Sequence, residues 1–170
     1  KTTIPGKIVA ERDRYAAQKR EEERRKQQEM QRKADIEKEK GTYRIAIEKA
    51  INTHVNSYFA EQRENLSHIW ESITLATFEL KERSIKGWST QYPREHFDTF
   101  NKDATTYYLD AQTKESIKAE VLNSKYSSFS KQYTFDMEDL RQSFVDRLPS
   151  KKQELIEEEE LRKKDAEAAA

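Results

Sequence analysis

The sequence predicts an all-α protein: an elongated helical bundle with a long central helix and charged, coiled-coil-like helical extensions at both ends. Three observations carry this. Of the 17 Phe, Tyr and Trp residues, 16 lie between Tyr43 and Phe144, and only Tyr15 stands outside. Between Glu11 and Lys40, 20 of 30 residues are charged, so that stretch has no material for a core of its own. Three Gly and three Pro in 170 residues leave little for turns, which favours few, long elements.

Residues 1–10, with Pro5-Gly6, are expected to form an irregular N-terminal arm. Residues 11–40 are expected to be a charged helical extension. Glu21 and Arg25, Glu22 and Lys26, and Glu29 and Lys33 stand four apart with the acid first, the better orientation for a pair worth a few tenths of a kcal/mol. From Gln18 to Lys33 the only clearly apolar side chain is Met30, so the segment lacks a sustained coiled-coil seam.

Residues 41–149 are expected to be an aromatic-rich helical bundle domain. Gly41-Thr42 is a candidate interruption. After it, Ile47, Ile51, Val55, Tyr58, Leu66, Ile69, Ile73, Ala76 and Leu80 recur by threes and fours, with Gln62 filling the one gap, which predicts one helix from about Thr42 to Ser84. Gly87 should end it, and Pro93 suits the first turn of the next helix. Phe97, Phe100, Ala104, Tyr107, Tyr108 and Ala111 mark a further aromatic helical face, continued by Ile117, Val121 and Leu122. The serines at 124, 127, 128 and 130 predict a break, Thr134 a new N-cap, and Met137, Leu140, Phe144 and Leu148 the next buried face. Pro149 should stop or kink that helix, and Ser150 with Gln153 should open a charged C-terminal helix over 150–170. Ile51, Leu66, Ile69, Ile73, Phe100, Leu140 and Phe144 are the expected core.

Composition narrows the chemistry. The chain has no Cys, which removes disulfides, thiolate nucleophiles and Cys-based zinc sites and fits a reducing compartment such as the cytoplasm. No apolar run reaches the length of a membrane span. The formal net charge is zero, with 13 basic against 9 acidic side chains in residues 1–40. The chain opens on Lys1 rather than Met, as a piece of a longer protein would.

Glu64, His68 and Glu71 share one side of the long helix, the spacing that inward-facing carboxylate metal sites use, but no second Glu-x-x-His accompanies them. They read better as a solvated, paired face. His54 lies on the same helix ~21 Å from His68, too far for a shared metal. His96, two residues before Asp98, reads as a capping or packing residue at least as easily as a base. The aromatics from Phe97 to Phe135 with Lys102, Lys114, Lys118, Lys125 and Lys131 have the composition of a base-stacking surface, but helical spacing reads them as core with lysines outside.

The Glu/Arg/Lys/Gln-rich segment resembles the charged helical spacers of many unrelated cytoskeletal, phage and envelope proteins, a likeness of composition alone. The sequence therefore predicts a non-catalytic scaffold or protein-protein interaction module with spacer or assembly arms. It predicts no catalytic, cofactor-binding or metal-binding residue. The expected partner is protein, self-association included. The alternative is a nucleic-acid-associated accessory protein binding through the basic N-terminal arm or the Lys/aromatic face, with affinity falling steeply in salt.

Overall fold

The computed structural model describes residues 3–98 and 108–169. Those residues form four helices: α1 (Thr3–Glu71), α2 (Phe78–Lys86), α3 (Arg94–Asp98) and α4 (Ala111–Ala169). No strand occurs among the described residues, and the fold is an all-α helical bundle.

The chain divides into two compact units. The first comprises Lys1–Ala46 and Asp103–Lys118. Among its described residues, Tyr43, Leu109 and Ile117 are buried, and the Tyr108 amide donates to Glu39 Oε2 at 3.0 Å. Asp110 caps α4: its carboxylate accepts the Thr113 amide at 2.7 Å, and Thr113 holds its pKa below the ordinary carboxylate value. The second unit comprises Ile47–Lys102 and Ala119–Ala170. There one face of α1, carrying Ile47, Ile51, Val55 and Leu66, is buried, as are Val121, Tyr133, Met137, Phe144 and Leu148 of α4. Ile73, Phe78, Ile85 and Tyr92 complete that core from the segment between the two long helices.

Several expectations change. Residues 1–10 are expected to be irregular, but helix begins at Thr3; Pro5 falls in the first turn, where its missing N–H would have no intrahelical acceptor in any case. Gly41 does not interrupt α1. The single helix expected to Ser84 ends at Glu71 instead. The Ser72 hydroxyl donates to the Ile69 carbonyl at 2.8 Å, and Thr74 and Thr77 close a turn on each other. Each backbone amide of that threonine pair donates to the other's hydroxyl, at 3.0 and 3.2 Å. Ile73 is buried because the reversal tucks it inward. Beyond the turn the helical phase is lost, and Ala76 and Leu80 are exposed. Gly87 does end a helix, but that helix is the separate α2, and the Gly87 amide bonds to the Arg83 carbonyl at 2.9 Å.

The breaks expected in α4 are also absent. The helix runs through the serines at 124–130, through Thr134 and through Pro149. Ser124 turns its hydroxyl back to the Val121 carbonyl at 3.1 Å, so the polar side chain is satisfied inside the helix. Tyr133 and Met137 flank Thr134 on one buried face, and continuous burial overrides the local N-cap signal. Of the expected core, Ile51, Leu66, Ile73 and Phe144 are buried, while Ile69 and Leu140 are half-buried. Phe100 and Lys102 lie outside the described residues, as do the side chains of the expected aromatic face from Phe97 to Tyr107.

Two measurements check this architecture. Leu66→Ala should cost about 2–5 kcal/mol in denaturant unfolding, whereas Leu80→Ala, at a side chain 60% exposed, should stay within about 0.5 kcal/mol. Gly41→Ala meets no atom within 4 Å of the added Cβ inside a continuous helix, so it should stabilise by about 0.5–1 kcal/mol.

Candidate functional site: a histidine and tyrosine ring cluster

Residues far apart in sequence meet in the second unit. On α1, His54 and Tyr58 stand one turn apart; after α2, Tyr92 precedes α3, which carries His96; α4 supplies Tyr133. The His54 and His96 ring centroids are 5.7 Å apart. Tyr58 meets His96 edge-on at 4.7 Å and Tyr92 edge-on at 5.3 Å, and Tyr92 meets Tyr133 in the same way at 5.3 Å. Edge-to-face contacts set the positive rim of one ring against the negative face of the next and are worth about 0.5–1.5 kcal/mol each beyond area burial.

The cluster favours neutral phenols. Burial pushes the Tyr92 hydroxyl up to about 12, with Tyr58 and Tyr126 adding to it. Burial raises Tyr133 as well, reinforced by Tyr58 and Tyr92, and raises Tyr58 with a contribution from Glu61. The Tyr126 hydroxyl donates to the Tyr92 carbonyl at 3.5 Å, and Arg141 Nη1 donates to the Trp88 carbonyl at 3.0 Å, tying the connection before α3 to α4. The cluster's chemistry is therefore that of a packed aromatic joint whose hydroxyls keep their protons across the physiological range.

A second constellation lies toward the end of α1. Trp70 and Phe144 are 5.5 Å apart, and the Arg147 guanidinium lies 4.9 Å from one ring centroid and 4.8 Å from the other. Lys151 approaches Trp70 at 5.7 Å, and Lys152 approaches Phe78 at 5.5 Å. These cations lie against rings through cation–π attraction while their side chains reach toward water. A slot of about 240 Å³ opens elsewhere in the unit, lined by Asn52, Asn56, Ser128 and Gln132 together with Phe59 and Tyr133.

Of the residues singled out in the sequence, His68 and Glu64 meet on an open face, with Nε2 and Oε1 3.5 Å apart, and Glu71, also exposed, ends α1. Among the described residues no group of three or more His, Cys, Asp or Glu is placed to hold a metal ion. Lys131 is exposed, and Lys114, Lys118 and Lys125 are half-buried. Of the described aromatics of that run, Tyr133 is buried and Tyr126 and Phe129 are half-buried, while Phe135 is 68% exposed, so the run is only partly core. Sequence reasoning misses the His54–His96 pairing. Its trace in the sequence is a mirrored spacing, His54 four residues before Tyr58 and Tyr92 four residues before His96.

No protein-family model, curated protein or solved structure matches the chain.

The raised phenols fix a pH dependence. Tyr92 holds its proton more tightly folded than unfolded, so its contribution to stability is fully present below about pH 10 and is lost as pH rises through about 12. Unfolding midpoints should fall between about pH 10 and 12, and Tyr92→Phe should flatten that fall in a denaturant series.

Proposed function

We propose that the protein is a structural module that uses a charged helix to hold a distance. The observation that carries this reading is the exposure of α1 from Gly6 to Ala34, where every side chain is exposed. A buried face normally supplies most of a helix's stability. Here the sequence supplies strong helix formers and opposite charges one turn apart instead, such as Glu21 and Arg24 at 3.7 Å.

Such a helix has a use that a packed one lacks. It spans ~1.5 Å per residue and presents all its sides to whatever lies along it. The acid and base interleaving suits this better than it suits a phosphate backbone, since Glu21, Glu22 and Glu23 interrupt the basic run. The ring cluster of the second unit fits the same reading as a rigid joint. Protein is the partner class this arrangement favours.

The distance can be measured directly, because the chain has no Cys of its own. Spin labels on Ile8→Cys and Ala34→Cys should give a narrow distance distribution centred near ~39 Å, unchanged between low and high salt. A broad distribution centred near ~28 Å, as expected of a flexible chain of that length, would remove the spacer reading.

A further inference from the structure

We propose that the slot between α1 and α4 in the second unit binds a small organic amine, its apolar body against the slot's rings and its ammonium group at Asp136. The inference is independent of the spacer reading, because every residue it uses lies in the second unit and none in the exposed arm.

The slot arises from two rows of polar side chains. Asn52 and Asn56 stand one turn apart on α1, and Ser128, Gln132 and Asp136 follow one another by turns on α4. Val55 and Tyr133 belong to the adjoining buried stripes, and side chains as short as Asn and Ser do not close the space, which amounts to about 240 Å³. The lining is graded. Val55 and Tyr133 are buried, Phe59 and Phe129 are half-buried, and the polar residues are exposed, so the slot is apolar in depth and polar at its mouth. An apolar cavity of about 150 Å³ is enough to take in benzene, so this one admits a ring or a short carbon chain.

Charge selects the ligand. Asp136 is the one charged residue that lines the slot, and it makes no ion pair among the described residues. Gln132 Nε2 donates to Asp136 Oδ1 at 3.0 Å, which orients the carboxylate and leaves Oδ2 for a second donor. Asn52, Asn56 and Ser128 make no side-chain hydrogen bond among the described residues, so their oxygens can accept as well. A primary ammonium has only donors, which suits a mouth of carboxylate, amide and hydroxyl oxygens, whereas an anion would be repelled by Asp136. The rings add to this preference. Phe59 and Tyr133 stand at 88° with centroids 6.1 Å apart, and a cation within about 6 Å of a ring face is drawn to its negative quadrupole. Opposing this, Lys49 and Lys125 stand about one turn before Asn52 and Phe129 without lining the slot, and they disfavour a cation at that end. The ammonium is therefore held at the Asp136 end, and weakly.

The test is a titration of the isotope-labelled full chain with phenethylammonium, read from backbone amide shifts. The shifts should saturate with a Kd near ~1 mM, in keeping with how little so small a ligand can gain per atom, and should centre on Asn56 and Tyr133. Phenethyl alcohol, its uncharged counterpart, should bind about tenfold more weakly, and phenylacetate should not bind. Asp136→Asn should weaken the amine about fivefold and leave the alcohol unchanged. Asn56→Phe, at an exposed position, should fill the slot and abolish the binding of both. Ser128→Phe fills it from the other helix and decides the matter if circular dichroism shows that Asn56→Phe has lost structure. Amine shifts that do not saturate, an alcohol that binds as well as the amine, a phenylacetate that binds, an Asp136→Asn chain that keeps its full affinity for the amine, or binding that survives a filled slot each overturns the proposal. None of these outcomes touches the label distance within the arm, so the spacer reading stands or falls separately.

Discussion

The second unit depends on the burial of two apolar stripes, one on α1 and one on α4. Ile47, Ile51, Val55 and Leu66 form the first, and Val121, Tyr133, Met137, Phe144 and Leu148 the second. Each such side chain is worth roughly 1.5–3 kcal/mol when removed from water, far more than any surface ion pair on the same helices. That difference explains why local signals yield to the stripes. A serine run, an N-cap threonine and an interior proline each disfavour helix, and α4 passes through all three while its buried face continues. The penalty at Pro149 falls beside Leu148, one of the most deeply buried residues of that face.

The stripes also position the ring cluster. Tyr58 and Phe59 approach Tyr133 at 5.6 and 6.1 Å, so the aromatic joint grows from the edge of the α1–α4 packing. Tyr92 and His96 then fasten the segment around α3 onto it. The Trp88 indole N–H, on the connection before α3, is buried without a hydrogen-bond partner among the described residues, a desolvation cost that the rest of the core must offset.

Periodicity reads the helical class and much of the α1 stripe correctly because burial on a helix leaves a direct mark every three or four residues. It misreads the end of α1 for the same reason. Ile73 continues the rhythm, but its burial comes from a chain reversal that Thr74 and Thr77 close, and a Thr-x-x-Thr pair is too common to announce a turn. The start of α4 escapes notice at Asp110, whose capping role depends on one bond to the Thr113 amide. At the ring cluster, His54 and His96 are each visible in the sequence, where His96 reads as a capping or packing residue at least as easily as a base. Their meeting across 42 positions of sequence is a tertiary event that no local pattern encodes.

The exposed stretch of α1 has a consequence for how the chain can change over time. A side chain that touches no core places no constraint on the register of its helix, so residues there can be gained or lost without repacking anything. Removing 18 of them takes out five whole turns, shortens the rod by ~27 Å and returns every remaining side chain to its original bearing. Losses that are not whole turns rotate the helix beyond them by ~100° per residue. Reach and orientation can thus be adjusted independently by insertion and deletion alone, a freedom that the buried stripes deny to the rest of α1.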